Sequence, residues 1–158
     1  MGADPRPKVL VVDDMPLVRE VFGRVLTLSG MAVSFATNGH EGLMVARAMV
    51  PDVIVSDLEM PRMDGVAFCA ALRADETTRR VPIVVVTGSG GVQVRAALDA
   101  GCDAVLPKPC ARDLLIATIR DLLRRAEETR AAAAPIEPSE QARVASATTP
   151  LPPPDERR

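Results

Sequence analysis

Short, unbroken apolar runs alternate along this chain with segments whose apolar residues recur at helical spacing. Lys8 to Val12 is the first run, continuous as a strand buried on both faces requires. Leu17 to Leu28 then carries Val18, Val21, Phe22, Val25 and Leu26 three and four residues apart, until Ser29-Gly30 stops it. Ala32 to Ala36 predicts a second strand. Asn38 predicts the cap of a helix running through Leu43 and Ala46 to about Ala48. Beyond Pro51, Val53-Ile54-Val55 predicts a third strand ending on Ser56-Asp57. Val66 to Arg73 reads as a short helix, and Ile83 to Val86 as a fourth strand ending at Thr87. Gly88, Gly90 and Gly91 give a loop before a helix through Val94, Ala97 and Leu98, which Gly101 terminates. Ala104 to Leu106 is a short fifth strand. A last helix begins near Ala111 and shows Leu114, Leu115, Ile119, Leu122 and Leu123.

Strands that alternate with helices imply a parallel sheet with right-handed crossovers and helices on both faces. The expected class is therefore α/β, a doubly wound five-stranded parallel sheet of (βα)5 pattern. The pattern divides the chain into an N-terminal extension (1–7), a folded domain (8–128) and a tail (129–158). The tail holds Pro135, Pro138, Pro150 and Pro152-Pro153-Pro154 among Ala, Ser and Thr. It has too few large apolar residues to offset its ordering entropy and is expected to be disordered. No internal repeat is visible.

Composition narrows the class of function. The chain is 47% hydrophobic and 25% charged over 158 residues, enough for a real core. Only Phe22, Phe35 and Phe68 are aromatic, so Val, Leu, Ile, Ala and Met must build most of that core. A net charge of −2 without a basic patch argues against nucleic acid as a direct partner. Cys69, Cys102 and Cys110 lack metal or redox spacing and read as small buried or half-buried residues of a reducing compartment. The run Val9 to Val12 is too short for a signal sequence, and Arg6 stands where a myristoylation motif needs Ser or Thr. No apolar stretch approaches about 18 residues, so no membrane insertion is expected and the location is expected to be cytoplasmic.

Ligands of open α/β sheets bind at the carboxyl ends of the strands. The polar residues of this chain gather there. Asp13-Asp14 follow the first strand, Asp57 ends the third, Thr87 ends the fourth and Lys108 follows the fifth. Converging carboxylates repel one another unless a cation joins them, and hard oxygen donors suit Mg²⁺. A nearby hydroxyl and ammonium suit the oxygens of a phosphoryl group. Taken singly, each has a plainer reading: Asp14 a helix cap, with Pro16 in the first turn, Lys108 a solvated loop charge, Thr87 a β-branched strand residue. Capping does not account for the whole set.

These residues lie in strings that resemble the signatures of response regulator receiver domains. The strings are Val9-Leu10-Val11-Val12-Asp13-Asp14, Asp57-Leu58-Glu59-Met60-Pro61-Arg62-Met63-Asp64-Gly65, Val86-Thr87 and Pro107-Lys108-Pro109, in family order and spacing over about residues 7 to 125. The resemblance implies a flavodoxin-like sheet of strand order 2-1-3-4-5 and Asp57 as phosphoacceptor. It implies Mg²⁺ held by Asp13, Asp14, Asp57 and the backbone carbonyl of Glu59. It implies Lys108 as the cation that pairs with the acceptor, Thr87 as the switch hydroxyl, and a cis Lys108–Pro109 peptide. The implied protein is not an enzyme in the usual sense but a switch with self-catalysed phosphotransfer and dephosphorylation. Its implied partners are a sensor histidine kinase or histidine phosphotransfer protein and a downstream target protein. A dimer through the face of the fourth helix, fifth strand and fifth helix is also compatible with the family.

Two positions depart from the family pattern. Val105 fills the usual aromatic position of the fifth strand, so no ring can swing in concert with Thr87. Glu59 occupies a variable position at the site mouth, where an anion alters partner choice or phosphoryl lifetime, unless it is only an exposed loop charge. Lone His40 reads as a surface residue, Met60 and Met63 as packing residues. Gly88-Ser89-Gly90-Gly91 is no Walker loop, because no Gly-Lys-Ser/Thr follows it. Two rivals remain at this point: a pseudo-receiver that only binds, and a haloacid-dehalogenase-type phosphatase. The phosphatase requires Asp-x-Asp after the first strand, and this chain has adjacent aspartates.

Overall fold

A computed structural model describes residues 2–133 of the chain. Five strands and five helices alternate: β1 Lys8–Val12, α1 Pro16–Leu28, β2 Ala32–Ala36, α2 Gly39–Met49, β3 Val53–Ser56, α3 Gly65–Ala74, β4 Ile83–Thr87, α4 Val92–Asp99, β5 Ala104–Pro107 and α5 Arg112–Ala132. The strands form one parallel sheet in the order β2-β1-β3-β4-β5. Every expected element is present, most of them shifted by a residue or two at their ends.

Successive residues of a buried parallel strand face opposite layers. Leu10, Val12, Ile54, Ile83 and Val85 point into a layer closed by Leu43 and Ala46 of α2, Phe68, Cys69 and Leu72 of α3, and Ala97 of α4. Val9, Val11, Val53, Val55, Val84 and Val86 point the other way, against Leu26 of α1 and Leu115, Ile119 and Leu122 of α5. The core is largely aliphatic as composition requires, and among the described residues Phe68 is its one buried aromatic, fully enclosed and among the largest side chains. Phe35, by contrast, is exposed on edge strand β2. His40 is exposed, whereas Met60 is buried.

Asn38 caps α2, its side chain accepting from the Glu41 N–H. α1 starts differently from the reading of Asp14 as a cap. Its cap residue is Met15, which makes no side-chain capping bond, and Pro16 begins the helix. Asp14 is thereby left for other work. The contact pattern divides the chain into two units, Met1–Glu127 and Glu128–Arg158. The first is the α/β domain. In the second, the helical conformation of α5 continues to Ala132. The rest of the expected tail, 134–158, lies outside the described residues.

Candidate functional site

The chain leaves β1 for β2 on one side and later returns to place β3 on the other side of β1. That reversal opens a crevice at the carboxyl ends of β1 and β3, where α/β folds hold ligands. The ladder extends one residue past each strand into it. The Asp13 N–H donates to the Ala36 carbonyl at 3.2 Å and the Asp57 N–H to the Val12 carbonyl at 3.0 Å. Asp13 and Asp57 are thus fixed by backbone on either side of the crevice, and both are buried.

Lys108 reaches across from beyond β5. Its Nζ lies 3.2 Å from Asp13 Oδ2 and 3.3 Å from Asp57 Oδ2. Its backbone N–H donates to the Thr87 carbonyl at 2.9 Å, which ties its position to the end of β4. The Lys108–Pro109 peptide is cis. Asp13 Oδ1 accepts from the Met15 N–H at 2.9 Å and Asp57 Oδ1 from the Leu58 N–H at 2.7 Å. One carboxylate oxygen from each of Asp13, Asp14 and Asp57 lies within 4.8 Å of the others. Among the described residues the exposed Asp14 carboxylate makes no hydrogen bond or ion pair. Three hard, anionic donors at such separations fit a small divalent cation such as Mg²⁺.

The electrostatics express the crowding. Burial pushes the Asp57 carboxyl above its ordinary pKa, and Asp13 adds to this. The Lys108 ammonium and the Glu59 backbone N–H pull the other way without prevailing. Burial also works against the Lys108 charge, but the Asp57 and Asp13 carboxylates more than offset it and raise its pKa. One cation facing two buried carboxylates, with a third alongside, leaves the crevice short of positive charge.

The loop after β3 is built for close approach. The Gly65 N–H donates to the Leu58 carbonyl at 2.9 Å, and Asp64 caps α3 by accepting from Ala67 N. Arg62 turns the chain at φ 69°, in the left-handed region. Thr87 is buried, and its Oγ1 accepts from the Ser89 N–H at 3.0 Å. Val105 pairs with Val85 and lies half-buried, so an aliphatic side chain occupies the family's aromatic position.

Asp13, Asp14, Asp57, Glu59, Thr87 and Lys108 therefore stand together at this one end of the sheet. Two neighbours were missed. The Arg19 guanidinium donates to the Asp13 carbonyl at 2.7 Å, bracing the loop from β1 to α1. The Ser89 hydroxyl donates to the Glu59 carboxylate. Thr87 and Ser89 have the spacing of a side-chain-to-backbone turn, and that is the one local signal Ser89 carried.

A doubly wound domain with an acid cluster and a bridging lysine at its switch point belongs to the α/β proteins whose ligand crevice lies at the carboxyl ends of the strands. Comparison makes the assignment specific. The response regulator receiver domain profile matches residues 9–120, and the chain belongs to that family, the receivers of two-component systems. It is 46% identical over 127 residues to the response regulator MprA of Mycobacterium leprae, covering 79% of this chain and 54% of that protein. With MprA of Mycolicibacterium vanbaalenii it shares 44% over 119 residues, 75% of this chain and 51% of that one. The chain thus spans about half the length of the curated relatives it matches. Its fold resembles a putative response regulator of Chloroflexus aurantiacus, with TM-score 0.72, 29% identity, and coverage of 75% of this chain and 98% of that one. A further neighbour is the receiver domain of the Pseudomonas aeruginosa sensor histidine kinase PA1611, with magnesium coordinated in its active-site cleft. Its TM-score is 0.71 at 28% identity, over 75% of this chain and 98% of that one. No helix among the described residues is long and apolar enough to cross a membrane.

Proposed function

We propose that the chain is a phosphorylation switch whose acceptor is Asp57, loaded by a sensor histidine kinase or histidine phosphotransfer protein. The observation that carries this reading is Lys108 Nζ within 3.3 Å of both Asp13 and Asp57, beside a third carboxylate. A lysine drawn onto two acids at a crevice can follow charge onto phosphoryl oxygens when they arrive. Asp57 Oδ2 is the nucleophile: its bond to phosphorus forms as the phosphorus–nitrogen bond of the donor histidine breaks. Asp13, Asp14, Asp57 and the Glu59 carbonyl would hold Mg²⁺. Bound there, the ion neutralises charge on the transferring group and orients it. The Thr87 hydroxyl then turns to a phosphoryl oxygen, and hydrolysis of the acyl phosphate resets the domain.

The donor has a surface to meet. Met15 and Leu17 are 53% and 66% exposed at the start of α1, directly after Asp14. A groove of about 200 Å³ continues along α1, lined by Leu17, Val21, Val25 and Leu28 with Glu20, Arg24 and Arg112. A helix carrying the phosphohistidine would lie along it with its apolar stripe inward. The switched face, where a downstream target or a second copy binds, is that of α4, β5 and α5. Val92, 85% exposed at the start of α4, supports this. The proposed location is the cytoplasm.

Acetyl phosphate with Mg²⁺ tests the reading without the kinase. Intact-mass analysis should find one added phosphoryl group, mapped to Asp57 and absent in Asp57→Asn. Absence of incorporation in the wild-type chain, or undiminished incorporation in the variant, would overturn it.

A further inference from the structure

Thr87 does not wait freely at the end of β4. Its Oγ1 is engaged as an acceptor by the Ser89 N–H at 3.0 Å. Ser89 is itself anchored, because its hydroxyl donates to Glu59 Oε1 across the site mouth. Glu59 belongs to the loop after β3, thirty residues earlier, and its backbone N–H favours the charged form of the Asp57 carboxyl. The contacts run as a chain from Asp57 through Glu59 and Ser89 to Thr87. Gly88, Gly90 and Gly91 surround Ser89, and a Cβ on any of them would meet nothing within 4 Å. The three glycines thus stand in open space, and the Ser89–Glu59 bond ties the loop to the far side of the crevice.

From this geometry we infer that Ser89 is a positioning residue for Thr87. Held by Glu59, it keeps the Thr87 hydroxyl turned to the loop, and the hydroxyl reaches an oxyanion on Asp57 only as that tie is given up. The inference rests on the reading of Asp57 as acceptor and adds a restraint on the resting state. The chemistry sets its direction. To donate to a phosphoryl oxygen the Thr87 hydroxyl must rotate toward Asp57, whereas at rest Oγ1 is held toward the loop by the Ser89 N–H from which it accepts, and turning away gives that bond up. Charge arriving on Asp57 also stands near the Glu59 carboxylate and opposes the contact from its other end. The tie thus biases a two-state equilibrium toward rest, and its loss makes the loaded state easier to reach.

Beryllofluoride with Mg²⁺, which mimics the acyl phosphate on a carboxylate, supplies the test on the full chain. In the wild type, loading should speed amide exchange at residue 89, because its N–H loses the Thr87 acceptor. In Ser89→Ala the residue 89 amide should already exchange faster before loading. The same variant should bind beryllofluoride about fivefold more tightly, the free-energy worth of one ordinary hydrogen bond. Ser89→Thr keeps the hydroxyl and should restore wild-type exchange and affinity. A residue that merely shaped the loop would lose affinity when truncated. Unchanged or weaker beryllofluoride binding in Ser89→Ala, or unchanged exchange at residue 89, therefore overturns the inference. Failure of the wild-type chain to bind beryllofluoride at all would instead strike the assignment of Asp57.

Discussion

Gly65 rests directly on the backbone of Asp57: a Cβ at Gly65 would lie 2.4 Å from the Asp57 carbonyl oxygen and 2.7 Å from Leu58 Cα. Both neighbours are main-chain atoms of the loop that carries the acceptor, so neither can step aside alone. Gly65→Ala should lower stability by about 2–3 kcal/mol, as overpacking against fixed atoms does. It should also slow phosphorylation by acetyl phosphate about tenfold or more, through displacement of Asp57. Gly23 is a control with the same clash on paper. Its Cβ would meet Phe35 Cζ at 2.4 Å, but that ring is 44% exposed and can swing outward. Gly23→Ala should change stability by less than about 1 kcal/mol, since a helix also gains from losing a glycine. Denaturant melts of the two variants make the comparison.

Asp57 is destabilised by its own site. Burial first, and Asp13 next, hold its carboxyl above the ordinary pKa. A group whose folded-state pKa is raised costs stability once it ionises, so at neutral pH the charged Asp57 works against the fold. Asp57→Asn should therefore raise the melting temperature in metal-free buffer by roughly 2–5 °C, the effect of about 1 kcal/mol in a domain of this size. Thermal melts at pH 7 with chelator check this, and a lowered melting temperature would contradict it.

Asp14 and Asp13 should separate metal binding from folding. Asp14 is exposed, makes no hydrogen bond among the described residues and does not cap α1. Asp14→Ala should cost less than about 0.5 kcal/mol without metal, as ordinary surface substitutions do. It should also abolish most of the Mg²⁺-dependent rise in melting temperature, which mass action predicts for the wild type. Asp13→Ala should damage the fold itself, because Asp13 is buried and holds both the Met15 N–H and Lys108. Paired melts with and without Mg²⁺ read both effects.

The pattern of apolar runs was sufficient for the ten elements because buried parallel strands and amphipathic helices carry their own periods. Val9 to Val12 and Val53 to Val55 show this most clearly, each feeding both core layers alternately. The site residues were legible because they follow those strands directly. What escaped was carried by side chains between loops. Nothing local to Ser89 announces Glu59 thirty residues before it, and nothing in α1 announces that Arg19 folds back to the Asp13 carbonyl. The capping reading of Asp14 failed because Pro16 can open a helix without a side-chain cap, and Met15 takes that place.

The cysteines offer a test of burial. Burial pushes the Cys69 thiol up to about 12 and the Cys102 thiol to about 11. Cys110 is raised too, by burial alone, but it is only partly buried. Iodoacetamide at pH 8 should modify the native chain at Cys110 alone, and all three cysteines once it is unfolded, because the thiolate is the reacting form. Peptide mapping of the alkylated protein distinguishes the sites. Rapid native labelling of Cys69 would mean that the α3 layer opens far more readily than its packing implies.

Arg73 ties together the opposite end of the sheet from Asp57. Its Nε donates to the Gly101 carbonyl at 3.0 Å, and one terminal nitrogen to the Arg79 and Val81 carbonyls at 3.0 and 2.6 Å. The other donates to Asp103 Oδ2 at 2.9 Å, which also accepts from the Ile83 N–H at 2.8 Å. Ile83 begins β4 and Asp103 precedes β5, so one planar guanidinium pins α3 to the entry of two strands. Its stem fills the space a Cβ at Gly101 would need, at 2.8 Å from Arg73 Cγ, where Gly101 turns at φ 108°. Arg73→Ala would remove the donor from three carbonyls and leave Asp103 with the Ile83 N–H alone, and should cost about 2–4 kcal/mol. Arg73→Lys should recover less than half of that, because a point-like ammonium cannot address four acceptors in a plane. A double-mutant cycle with Asp103→Ala should give a coupling between about 0.5 and 3 kcal/mol. Phosphorylation by acetyl phosphate, measured well below the melting temperature, should stay within about twofold of wild type, since Arg73 touches nothing at the carboxyl ends of the strands. A variant that keeps its melting temperature but loses phosphorylation would place Arg73 in the switch rather than in the scaffold.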